Sequence, residues 1–363
     1  MNRLPNGFEH GINIMNESFE KKDNRIYGAD IARIIAMLMV VVLHNLLNGG
    51  ILKSNNVQLS NLTYWLIENL MIVAVNVFAM ISGFLLVNSQ FKWKRILGLW
   101  RTVFFWSAIP TLALMLVFKN INVTYLVKSF FPVLFKQYWY FNGYIVLFIV
   151  MPFLNVGFRS FSIKSLQKII LMLLILSGSV GILNNLFLEG GESALWLIIM
   201  YLIGALIRQG DFLNRMPSNK LLITIYVLCG VLSLCGEGLS INYIGHLSVW
   251  IQYNSPIVIV QSILLFIFFI RLRVKGLFIK KLLKKISPMT FAVYLADTNP
   301  YFYHELLHSS LKGVYQLELF LGVGILFLIS IGMFFGIILL ESIRRWILSE
   351  VKWFLTKISM SCN

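Results

Sequence analysis

Charge is what this sequence has least of. Aspartate, glutamate, lysine and arginine make up 13% of its 363 residues, about half the share found in a soluble domain, while 58% are hydrophobic. That balance excludes a soluble globule. Acidic residues are the scarcer sign, 15 against 31 basic ones, for a net charge of +16. Cysteine is nearly absent: Cys229 and Cys235 lie six residues apart in one apolar run and Cys362 near the end, which gives neither a disulfide framework nor metal-ligand spacing. The serine nucleophile elbow G-x-S-x-G, the P-loop and the dinucleotide glycine fingerprint are missing, as are internal repeats and low-complexity linkers. What remains is the composition of an all-α, polytopic membrane bundle.

Apolar runs long enough to cross a hydrocarbon core, about 20 residues each, fall at 27–47, 65–87, 97–118, 138–157, 169–188, 193–208, 220–236, 250–270, 286–300 and 317–343. The ninth is the weakest, bracketed by Pro288 and Pro300, and reads as tilted or partly re-entrant. The first run lacks a small-x-small cleavage site and is expected to be a retained span. With the N-terminus inside, alternate loops hold 24 basic residues on the inner side and 5 on the outer. This asymmetry predicts about ten transmembrane helices with both termini cytoplasmic. The expected organisation is a cytoplasmic segment 1–26, a membrane domain 27–345 and a cytoplasmic tail 346–363. Because the basic residues sit in short loops without interleaved aromatics, they predict topology and no nucleic-acid partner. The basic amphipathic stretch 271–286 reads as a helix on anionic membrane lipid, in a field that also attracts phosphates.

Two basic residues, Arg33 and Arg101, fall inside spans. Ionisable groups there are rare and mark functional sites. Arg33 lies in the run RIYGADIARIIAMLMVVVLHNLLN (25–48), which also carries Asp30 and His44. Arg33 and His44 are eleven residues apart, so they share one helix face about 16 Å apart along the axis. Asp30, three residues before Arg33, is expected to pair with it. An imidazole near the outer leaflet suits a general base, though it also suits an interhelical hydrogen bond. Arg101 follows Lys92, Lys94 and Arg95 and reads either as a snorkelling arginine or as a carrier ligand. Glu68 near the outer end of the second span, and Trp139, Tyr140 and Asn142 opening the fourth, are candidate substrate contacts; an aromatic belt explains the last group equally. Asp297 closes the ninth span. His304 and His308 are spaced i, i+4 but lack a third ligand, so no metal is expected.

Asp30-x-x-Arg33 followed by His44, AVNVFAMISGFLL (74–86), WYFNGYIVLFIVMPFLN (139–155) and SPMTFAVYLADTNP (287–300) together resemble the signature of the acyltransferase-3 family of integral-membrane acyltransferases. The resemblance covers nearly the whole chain. It implies transfer of an acyl group, usually acetyl from cytoplasmic acetyl-CoA as co-substrate, to a hydroxyl of a cell-surface or lipid-linked carbohydrate. No permanently bound cofactor is implied. His44 matches the family's essential histidine and Arg33 its arginine partner, with Asp30 beside them; Arg33, Arg101 and Arg95 would hold the donor, and Glu68, Trp139, Tyr140, Asn142 and Asp297 the acceptor. Asp297 stands where many members carry histidine, which leaves a second imidazole role unsupported. Plasma-membrane location and partner proteins of glycan assembly follow as expectations. A transporter of a lipid-linked saccharide is the competing reading, although no inverted repeat supports it.

Overall fold

The computed structural model describes residues 25–52, 59–178, 188–243 and 249–361. They are helical, with no strand among the described residues. The helices of eight or more residues are α1 (Tyr27–Leu47), α2 (Leu59–Met71), α3 (Ala74–Leu86), α4 (Trp93–Phe118), α5 (Val123–Phe130), α6 (Trp139–Ser160) and α7 (Ile163–Gly178). They continue as α8 (Ala194–Gln209), α9 (Asn219–Tyr243), α10 (Pro256–Ile270), α11 (Leu277–Ile286), α12 (Thr290–Asp297) and α13 (Leu319–Ser361). Six stretches are long and apolar enough to cross a membrane: Tyr27–Leu47, Leu62–Leu86, Trp93–Phe118, Trp139–Ser160, Asn219–Ser240 and Leu319–Val351; α8 and α10 are shorter apolar helices. The chain is a membrane protein.

The helix α1 is the axis of the bundle, touching α2, α3, α10, α11, α12 and α13. Its small residues Ala29, Ala32 and Ala36 are buried and let neighbours come close. The tightest contact joins α3 to α8. A Cβ built on Gly83 would overlap the Tyr201 carbonyl, and one on Gly204 the Met80 carbonyl, so two backbones touch where only glycine leaves room. Facing outward, α4, α7 and α13 expose Leu116, Met172, Leu328 and Phe335. Apolar surface on that scale is stable only against lipid.

The structure adds detail to three expectations. The expected ninth span is a broken element: a 3₁₀ turn at Ser287–Met289, the eight-residue α12, then a turn at Pro300–Phe302. Eight residues rise only about 12 Å. Irregular backbone at membrane depth is tolerated when protein satisfies it, and Asn299 does so. Its Oδ1 accepts from the backbone N–H groups of Tyr301 and Phe302, while its Nδ2 donates to the carbonyls of Trp106 and Ser107. The expected span 65–87 turns at residues 72–73, between α2 and α3. The tail expected from residue 346 continues α13 as unbroken helix to Ser361. Of the expected segment 1–26, only Arg25 and Ile26 fall within the described residues, and residues 179–187 of the expected fifth span lie outside them. The helix α11 exposes Leu277, Phe278, Ile279 and Leu282 beside its lysines, and Lys280 and Lys284 stand over the Tyr27 ring.

Candidate functional site

One face of α1 carries Arg33, Met37, Val40 and His44, a spacing of four, three and four residues that keeps them in line. Met37, Val40 and His44 line a cavity of about 250 Å³, with Phe78, Trp139, Tyr140, Glu192, Tyr253, Phe291 and Tyr294 among its other walls. Arg33 lines a second cavity of about 430 Å³ with Ser82, Arg95, Tyr144 and Arg345. A smaller space of about 220 Å³ lies between them. It shares Phe78, Tyr140 and Phe291 with the first cavity and Arg33, Ser82 and Tyr144 with the second. A file of cavities thus runs along α1 from guanidinium to imidazole.

At the His44 end, Nδ1 lies 2.5 Å from Oδ2 of Asp297. The Asp297 side chain is fully buried, and among the described residues its one hydrogen-bond partner is this imidazole. A carboxylate can only accept, so Nδ1 is the donor, and in the neutral imidazole the lone pair is then on Nε2. This is the arrangement by which a buried acid fixes a histidine's tautomer and orientation as a base. Position 297 comes within reach because α12 ends there, its last turn packed against α1. Asp297, expected to touch substrate, is placed against the imidazole. The aromatic wall is rigid: Trp139 stacks on Tyr253 with centroids 5.9 Å apart, and the Tyr294 hydroxyl accepts from the Tyr140 backbone N–H.

At the other end, Arg33 Nη1 donates to Ser287 Oγ at 3.0 Å. Its expected partner Asp30 lies within ion-pair distance and is shared with Arg25. Both Asp30 oxygens are taken by Arg25, at 2.6 and 2.9 Å, and Arg33 Nη1 stands 3.9 Å from Oδ1. A guanidinium fork matches a carboxylate in that bidentate way, and Arg25, just before α1, folds back to provide it. Arg33 is left turned toward the cavity.

Arg95 lines the Arg33 cavity with Gly98, Leu99 and Thr102, the i, i+3, i+4, i+7 stripe of one helix face. Arg101 lies off that stripe, is exposed, and does not line the cavity. Glu68 is buried near Glu237 and does not itself line the His44 cavity. Asn142 sits two residues past Tyr140, on another face of α6, and does not line that cavity. Trp139 and Tyr140 do. His304 pairs with Glu305 and His308 with the Tyr303 hydroxyl. Among the described residues no group of three His, Cys, Asp or Glu is placed to hold a metal.

Sequence reasoning missed Glu192, Tyr253 and Tyr294 at one cavity and Ser287 and Arg345 at the other. Glu192 had a signal, a carboxylate in the four-residue loop 189–192. Its carboxyl, drawn into the cavity mouth beside Glu189, is pushed above the usual carboxylate range by loss of hydration and by that neighbour's charge. Tyr253 and Arg345 had none, since the first reaches its cavity from the turn before α10 and the second from within α13.

A family model of the acyltransferase domain, of the acyltransferase-3 type, matches residues 26–341. The chain belongs to the acyltransferase-3 family. Membership supports the first of the two readings open at the level of sequence, that of a membrane acyltransferase. No curated protein and no solved structure matches the chain. The match to the acyltransferase-3 family takes in His44, Asp297, Arg33 and Arg95, and it ends four residues before Arg345.

Proposed function

We propose that this acyltransferase takes an acetyl group from cytoplasmic acetyl-CoA and delivers it to a hydroxyl of a cell-surface or lipid-linked carbohydrate. The observation that carries the reading is the His44–Asp297 pair opening into an aromatic cavity that adjoins a basic one. In this reading the chain crosses the plasma membrane about ten times, both termini are cytoplasmic, and the Arg33 end of α1 faces inward. The 24-to-5 loop asymmetry of basic residues supports that orientation. Acetyl-CoA acts as co-substrate, its phosphates at Arg33 and Arg95 and its pantetheine arm in the space beside Tyr140 and Phe291. The residues from 27 to 345 form the catalytic domain.

The chemistry is then local. His44 Nε2 takes the proton from the acceptor hydroxyl as its oxygen attacks the thioester carbonyl carbon. The C–S bond breaks, and the imidazolium returns the proton to the leaving thiolate. Asp297 keeps Nδ1 protonated and stabilises the transient cation. Trp139, Tyr140 and Tyr253 offer faces on which a sugar ring stacks, and Glu192 accepts from sugar hydroxyls at the rim.

The test is mass spectrometry of surface glycans from cells with and without the gene. An acetyl ester removed by mild base should disappear on deletion and return with the wild-type gene but not with His44→Ala. If every such ester survives deletion, the carbohydrate acceptor is wrong.

A further inference from the structure

The donor cavity has a wall that family membership does not reach. Arg345 lies on α13, four residues beyond the matched stretch, yet it lines the same cavity as Arg33 and Arg95. Two of its nitrogens are fixed by protein: Nε donates to Glu341 Oε1 at 2.7 Å, and Nη2 to the Pro288 carbonyl at 2.7 Å. Nη1 has no protein partner among the described residues. Glu341 itself is buried, with its side chain fully shielded, and it also accepts from Trp106 Nε1 at 2.9 Å and from Arg344. A buried carboxylate tied to α4 and to two arginines is a rigid post. It costs desolvation to bury, and one consequence is that Arg345 cannot swing away from the cavity mouth.

Three guanidinium groups therefore border a space of about 430 Å³, and no acidic side chain lines it. Like charges set around a partly shielded cavity repel unless an anion sits between them, and arginine is the residue that matches phosphate oxygens in two-point geometry. We propose that Arg345, oriented by Glu341, binds phosphate oxygens of the acyl donor, completing with Arg33 and Arg95 a three-sided polyphosphate site. This rests on acetyl-CoA being the donor. Arg344 is the natural control. It shares Glu341, but its guanidinium stands over the Phe105 ring, beside the apolar cleft between α4 and α13, and it does not line the cavity.

The experiment is titration of the purified full chain in lipid nanodiscs with coenzyme A and with pantetheine, which lacks the phosphates, using wild type, Arg345→Ala, Arg345→Lys and Arg344→Ala. Arg345→Ala should weaken coenzyme A binding about tenfold, the loss of one charge-assisted contact, and leave pantetheine binding unchanged. Arg345→Lys, which keeps the charge and loses the fork, should fall between, and Arg344→Ala should match wild type. Glu341→Gln should weaken coenzyme A binding while sparing the pantetheine value, because it loosens Arg345 without entering the cavity. Wild-type affinity for coenzyme A in Arg345→Ala, or an equal loss for pantetheine, overturns the assignment of Arg345 alone. A wild type that binds no coenzyme A overturns the donor reading as well.

Discussion

The two ends of α1 solve opposite problems with similar means. At the His44 end a buried carboxylate, Asp297, grips one nitrogen of an imidazole and leaves the other with a lone pair. At the Arg33 end the nearby carboxylate, Asp30, is shared: Arg25 holds both its oxygens, while Arg33 stands 3.9 Å from one of them and also lines a cavity. In the proposed function the first arrangement makes a base and the second an anion site. Lining differs accordingly, with aromatic rings around His44 and arginines around Arg33. Chemistry at one end and binding at the other is a division that single substitutions separate, because loss of a transition-state group lowers kcat whereas loss of uniform binding raises KM.

The largest effect belongs to the His44 end. His44→Ala should lower kcat by about 10²–10⁴-fold, the usual worth of a positioned general base, with the KM for acetyl-CoA near wild type. Asp297→Asn should follow closely, since an amide can donate to Nδ1 and so favours the wrong tautomer. A large rise in donor KM in either variant would erase the division. Next, Gly83→Leu should disturb both ends together, because α3 supplies Val75 and Phe78 to one cavity and Ser82 and Leu85 to the other. Its side chain would meet the Tyr201 carbonyl, and overpacking of that kind costs about 1–3 kcal/mol; a lowered thermal midpoint in detergent checks it. Arg33→Ala should raise the donor KM about tenfold with kcat less affected, and added salt should shrink the difference. Smallest is Arg101→Ala, expected to leave both constants within experimental error, because that side chain faces away from the cavity. A donor KM defect there as large as that of Arg33→Ala would restore the role suggested by its position inside a span.

Much of this was legible along the chain, and the limit has a physical cause. Helical periodicity is local, so the Arg33–His44 face, the long apolar helices and the Trp139–Tyr140 wall could be read from spacing alone. Pairings are not local. Asp30 pairs with Arg33 as its spacing suggested, but that it also holds Arg25 depends on the bend before α1. His44 and Asp297 are 253 residues apart, and no periodicity connects them; a motif suggested Asp297 mattered, while its contact with the imidazole is visible only in the fold. Depth in a span says nothing about which face a side chain takes, so spacing left open whether Arg101 would line the cavity, which it does not. Nor could spacing place Glu68 beside Glu237, which lies on α9.

The most direct measurement uses purified wild-type and His44→Ala protein side by side, following coenzyme A binding and acetyl transfer from acetyl-CoA to surface glycan in the same preparation. The account predicts equal coenzyme A affinity and a transfer rate at least a hundredfold lower in the variant, in line with about 10²–10⁴-fold for a general base. Undiminished transfer by a well-folded His44→Ala protein would contradict it.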